Sequence, residues 1–367
     1  MRPVAEQGRG MASKKQSTRI RITLKRPEDV LAAIPYIVGF RPSDSVVLLT
    51  NVERGKEVGR RLRGDLPPEH AIEEVAHHIA ETITQDEPTS ALIVIVGGGD
   101  ITEGADGSDG TVLPYAEFVR ILRDELDARG VDQPAAYWVP EIAAGVRYRC
   151  YDHEDCTGEL PDPMSSEVAA QCVSHGYVTY ESRKELERLL KPDSEVLLRE
   201  RADLIDAKQR ELACGFPAPF SAERGVTALQ DALKTARSGV LALGDDQLAE
   251  LAIALTDPRV RDACLATALP PDAELATTAM RLWQALTRAL PAPESAQAAC
   301  LAGYAAYVAG QGPLAGIALR AALEADSTHV LAGLLLRALE HGIHPDELHR
   351  LADHDEVGLC AKARVAA

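Results

Sequence analysis

The sequence predicts an α/β sheet domain followed by an all-α domain, and three observations carry that prediction. Before about residue 160, short stretches either alternate apolar with polar residues or run continuously through Val, Ile and Leu, the pattern of strands. After about residue 165 the apolar residues recur every three or four positions, the period of a helix with one buried face. The breaks in the second half fall at Gly239–Gly244, Asp257-Pro258, Pro270-Pro271, Pro291–Pro293, Gly310–Pro313 and His341–Pro345. They leave helices of about 11 to 20 residues, normal for packed helix pairs.

Each element can be justified in order. Residues 1–26 hold eight Lys/Arg and one acid, Glu6, so residues 1–17 read as a disordered basic arm. Met11 is an alternative start. Arg19–Leu24 alternates with Ile20, Ile22 and Leu24 on one side, a half-buried strand that opens an α/β domain over 18–160. Pro27, Glu28 and Asp29 read as a helix start, with Pro35 expected to kink or split that helix. Ser45–Thr50 and Val58–Leu66 read as a hairpin. Pro67-Pro68 opens a helix whose apolar face is Ile72, Val75, Ala76, Ile79 and Ile83. His70, Glu74, His77, His78 and Glu81 fall opposite that face and read as a solvated surface.

Leu92–Val96 is a continuous β-branched run, a strand buried on both sides. Gly97–Gly110 reads as a loop, Tyr115–Ala128 as a helix, and Ala135–Val139 and Val146–Tyr151 as two more strands. Residues 165–174, 182–191 and 194–213 form a helical extension, Cys214–Ser221 a linker, and 222–367 the all-helical domain. The change of period demands separately packed cores for the two halves.

Composition narrows the function. Hydrophobic residues are 46% and charged residues 26%, a globular balance. The net charge is −17; with the arm at +7, the remainder carries −24. So acidic a body repels phosphate backbones, and nucleic acid is not an expected partner. No apolar run nears the roughly 20 residues of a membrane helix, and no signal-peptide pattern is present. Seven cysteines suit a reducing compartment, and the expected location is cytoplasmic.

Three groups of residues carry chemistry. Cys150, His153, Cys156, Cys172 and His175 offer thiolates and imidazoles that a tetrahedral zinc site prefers, set against free thiols or, under oxidation, a Cys150–Cys156 disulfide. Gly98, Gly99 and Asp100 follow a buried strand, where open α/β sheets gather ligands. Tyr36, Asp44 and Ser45 flank the turn before the first hairpin, where Asp44 and Ser45 can bond backbone. The chain holds no nucleophile elbow, zinc-protease or phosphate-loop signature.

Two resemblances follow from motifs. Pro27-x-Asp29-Val30-Leu31-Ala32-Ala33-Ile34-Pro35-Tyr36 and Gly39-Phe40-x-Pro42-x-Asp44-Ser45-Val46-Val47 resemble the opening of an uncharacterised actinobacterial domain-of-unknown-function family. That family carries a Cys-Cys-Pro run near Arg147–Glu159; here Cys150 and Cys156 remain, and Asp155 stands where a cysteine is expected. Gly303, Gly310, Ala315, Leu319 and Ala322 are similar to a tetratricopeptide helix pair, in which small residues let helices pack closely. That likeness implies a protein partner or a homo-oligomer. The expected function is a non-enzymatic interaction or scaffold protein without a cofactor. The alternatives are a small-molecule or nucleotide-binding enzyme using the loop after Val96, and a zinc-stabilised structural protein.

Overall fold

The computed structural model describes residues 26–52, 57–85, 87–103, 111–131, 134–165, 169, 179–214, 221–239, 242–271, 273–353 and 359. The basic arm, the strand expected at Arg19–Leu24 and the body of the linker lie outside them.

Helix α1 spans Pro27–Val38. Proline at the first turn costs no backbone hydrogen bond, and Glu28 and Asp29 face the positive end of the helix. The helix runs through Pro35 rather than splitting there. Pro35 sits in the last turn, so only one ladder bond is lost before Gly39 closes the helix. Gly39 has φ of 90°, and its N–H donates to the Pro35 carbonyl at 2.8 Å.

Strands β1 (Ser45–Val52) and β2 (Glu57–Asp65) form the expected antiparallel hairpin. Helix α2 covers Ile72–Ile83 after a 3-10 turn at Glu69–Ala71. It starts later than the prolines suggest, because a residue preceding proline is driven out of the helical region and Pro67 precedes Pro68. The residues His70, Glu74, His77, His78 and Glu81 are exposed, as the wheel places them.

Strand β3 (Ser90–Val96) is followed by two short strands, β4 (Thr102–Glu103) and β5 (Thr111–Val112), paired with each other. The stretch read wholly as loop therefore contains half of a small ladder, too short to show a periodicity. Helix α3 (Ala116–Asp127) leads to β6 (Ala135–Val139), β7 (Arg147–Cys150) and β8 (Thr157–Glu159), the last not expected. The six-stranded sheet runs β2-β1-β3-β6-β7-β8, parallel only between β3 and β6.

The helices that follow are α4 (Arg183–Arg188), α5 (Glu195–Ala213), α6 (Ala222–Arg237), α7 (Asp245–Thr256), α8 (Pro258–Leu265), α9 (Glu274–Ala289), α10 (Ser295–Val308), α11 (Gly312–Ala325) and α12 (Val330–Glu340). A 3-10 stretch, Pro345–Asp353, follows α12. Ser182, Ser194, Ser221 and Asp257 cap α4, α5, α6 and α8 by accepting backbone N–H groups. The expected helix over 182–191 shortens to α4 because Lys191 precedes Pro192. Of the helix expected at 165–174, most lies outside the described residues. No described helix is long and apolar enough to cross a membrane.

Both sheet faces are covered, which explains the continuous apolar runs of β1 and β3. Val46, Leu48, Ile93, Ile95, Ala136 and Trp138 pack on α2 and α3. Val47, Leu49, Val94, Val96 and Val139 join α1 and the helical half in a single cluster. The separate cores expected from the period change are thus one continuous core on this face. Arg60 extends from β2 to donate to the Gly342 carbonyl, tying the hairpin to the far helices. The tetratricopeptide-like residues do bring α10 against α11. A Cβ on Gly303 would stand 2.6 Å from Leu319 Cγ, so the helices touch at that glycine.

Candidate functional site

Asp44, Ser45 and Gly98, three of the residues that the sequence points to, meet at one end of the sheet, where β1 begins and β2, β3 and β6 end. Asp44 adopts φ of 42°, and its Oδ1 accepts the Gly98 N–H at 3.1 Å. Gly97, Gly98 and Gly99 all have positive φ, which glycine alone adopts without cost. A Cβ on Gly97 would lie 2.7 Å from Asp44 Oδ1, and one on Gly98 2.8 Å from Leu66 and the Tyr115 ring. The Gly97 N–H donates to the Val139 carbonyl, and its own carbonyl accepts the Trp138 indole N–H, both at 2.9 Å. These glycines let the chain press against Asp44, Leu66 and Tyr115. The donors a phosphate would use at Gly97 and Gly98 are taken by Val139 and Asp44.

Ser45 is fully buried beside this clasp. Its hydroxyl donates to the Ser43 carbonyl at 2.5 Å and accepts from Arg63 Nη2 at 2.7 Å and Nε at 3.1 Å. Arg63 also pairs with Asp65 at 2.6 Å and lies over the Phe40 ring, 5.4 Å from its centre. Burial lowers the Arg63 pKa against the opposing pull of Asp65. Asp100 is exposed beyond the clasp, and Tyr36 is half-buried on α1. The sequence thus brings Asp44, Ser45 and Gly98 together, and the structure fills their hydrogen bonds internally.

The thiol and imidazole set divides. Cys150 and Cys156 face each other across the end of the β7–β8 hairpin, with Cys150 N–H donating to the Cys156 carbonyl at 2.9 Å. His153 is exposed in the turn between them. Cys172 and His175 lie outside the described residues, and among those residues no group of three or more metal-binding side chains converges.

An open groove of about 410 Å³ lies elsewhere, in the helical half. Arg261, Asp262 and Leu265 of α8, Gln297 of α10, Asp326 and His329 before α12, Val330, Leu331 and Leu334 of α12, and Leu351 line it. Val330 is 74% exposed and Leu334 50%, and both line the same groove one helical turn apart. The polar groups are fixed. Arg261 Nε donates to Asp262 at 2.8 Å, and Asp326 Oδ1 accepts the Thr328 N–H and hydroxyl at 2.9 and 2.7 Å. His329 Nδ1 accepts the Ala332 N–H at 3.2 Å, capping α12, while Nε2 lies 3.1 Å from Gln297 Oε1. That arrangement requires neutral imidazole. Burial, then the Arg261 charge, lowers the His329 pKa accordingly.

The model of a domain of unknown function, DUF4192, matches residues 27–346, from the first residue of α1 into the final 3-10 stretch. The chain belongs to the DUF4192 family. No curated protein and no solved structure matches it. The DUF4192 match includes the sheet, the Asp44 clasp and nearly all the groove, so both halves are parts of one family unit. Sequence reasoning missed the groove. Its signal was present in Val330-Leu331-x-x-Leu334-Leu335-Leu336, which holds more apolar residues than one buried helix face needs.

Proposed function

We propose that this DUF4192 protein is a binding module whose helical half takes a cationic amphipathic helix from a protein partner. The observation that carries this reading is the groove of α8, α10 and α12, with Val330 and Leu334 presented to solvent one turn apart. A helix laid in such a groove anchors through apolar residues three and four apart. The chain's charge of −17 selects the partner's sign, because association is steered by opposite potential. The sheet end supports a ligand-binding reading less well, since Asp44 and Val139 already occupy the loop donors.

A displayed library of random helical peptides, selected on the full chain, tests this. The expected binders share apolar residues at i and i+3 or i+4 with Lys or Arg beside them. Leu334→Glu weakens them by about tenfold or more, the effect of losing a central apolar anchor. Failure to enrich such peptides, or binders indifferent to Leu334→Glu, would overturn the proposal.

A further inference from the structure

The β7–β8 hairpin holds a pair of thiols in the register of a cross-strand disulfide. The ladder pairs Tyr148 with Gly158 and Arg149 with Thr157, so Cys150 falls opposite Cys156. The 2.9 Å bond from Cys150 N–H to the Cys156 carbonyl continues that register. A hydrogen-bonded antiparallel pair sets its Cα atoms about 5.5 Å apart, inside the range a disulfide spans. Both residues are partly exposed.

The turn between them is clamped from outside. Asp152 is held by Arg123 of α3 at 2.6 and 2.8 Å, the Tyr151 hydroxyl donates to the Pro114 carbonyl at 2.5 Å, and Glu154 accepts the Thr111 N–H at 3.3 Å. Both sulfurs are thereby kept on the same short arc.

We propose that Cys150 and Cys156 are a reversible dithiol–disulfide site, oxidised by a low-molecular-weight disulfide. Cys150 is the attacking sulfur. Its Sγ accepts the Asp152 backbone N–H at 3.3 Å, which fixes the sulfur on the inner side of the turn. The Cys150 thiol donates to Asp152 Oδ2 at 3.5 Å, and Arg123 pairs with the same carboxylate. Cys156, opposite Cys150 in the ladder register, is the resolving partner.

Cys150 loses its proton and attacks one sulfur of the small disulfide, forming a mixed disulfide. The first small thiolate leaves with the bonding pair and takes up that proton. Cys156, deprotonated in turn, attacks the Cys150 sulfur; the new protein S–S bond forms and the second small thiolate leaves and is protonated. Two protein thiols are oxidised, and one small disulfide is reduced to two thiols. The closed loop is short, so the bond constrains the unfolded chain little and remains reducible.

The full chain treated with oxidised glutathione, then alkylated and digested, reads this out. The expected result is loss of both free thiols from the turn peptide and a Cys150–Cys156 link lighter by two hydrogens, restored by reduced glutathione. Cys156→Ser should stop at a glutathione adduct on Cys150, and Cys150→Ser should yield no link. The proposal is overturned if Cys150 and Cys156 alkylate as freely as exposed Cys214 after oxidation. It is equally overturned if a chelator-removable zinc ion is what shields them.

Discussion

Gly303 sits in the middle of α10, and the sign of its replacement by alanine tests how the helical half is packed. In an open helix, glycine to alanine is stabilising by about 1 kcal/mol, because alanine loses less backbone freedom. At Gly303 the added Cβ would stand 2.6 Å from Leu319 Cγ, 2.7 Å from Cδ2 and 3.3 Å from the Leu319 nitrogen. Carbon atoms in contact sit about 3.5–4.0 Å apart, so the overlap is roughly 1 Å. Leu319 is fully buried and cannot swing away, so α10 and α11 must separate. Overpacking of this kind costs about 1–3 kcal/mol, and a clash with a branch carbon and a backbone atom belongs near the top of that range. Subtracting the helix gain leaves Gly303→Ala destabilising by about 2 kcal/mol. Gly333→Ala is the control: no atom lies within 4 Å of its Cβ, so it should stabilise by about 1 kcal/mol. Urea unfolding followed by circular dichroism should move the two midpoints in opposite directions with slopes unchanged. A Gly303→Ala protein as stable as Gly333→Ala would refute the close α10–α11 contact.

Three further outcomes follow from the same structure. Asp44→Ala should cost about 1–2 kcal/mol, since it frees the Gly98 N–H and places alanine at positive φ, while Asp44→Asn retains most of the stability; urea midpoints of the pair check this. The lowered pKa of His329 means that its neutral form supports the fold above the unfolded value of 6.5, and that this contribution is lost as the pH falls below it. Thermal melts across that window should be flatter for His329→Asn, which keeps an α12 cap without titrating. Burial pushes the Tyr307 phenol up to about 12 from 10, and its hydroxyl donates to the Ile343 carbonyl at 2.9 Å. Its contribution is therefore complete below pH 10 and disappears as the pH rises through 12, so Tyr307→Phe should show a weaker alkaline loss of stability; an unchanged slope would deny this role to Tyr307.

Much of the fold was legible because its signals are local. The breaks at Asp257-Pro258, Pro291–Pro293 and Gly310–Pro313 mark helix ends, and the Val46–Leu49 and Leu92–Val96 runs mark strands buried on both faces. Pro35 misled because its position in the last turn decides its effect, and residue type alone does not show that position. β4, β5 and β8 are two or three residues long, below the length at which alternation can be read. The shared core also escaped, because periodicity shows that a face is buried without showing what covers it. At the sheet end, Asp44, Ser45 and the glycines were recognisable as special, yet their partners Arg63, Tyr115 and Trp138 come from distant segments. The groove was the least legible feature, since it is assembled from α8, α10, α12 and Leu351.

The site of binding is the claim on which the functional account stands. Hydrogen exchange on the full chain, with and without a saturating groove-selected peptide, locates it. New protection should appear over Pro258–Leu265 and Val330–Glu340, with Gly97–Asp100 unchanged. Protection confined to Gly97–Asp100 and Asp44 would place recognition at the sheet end and contradict the account.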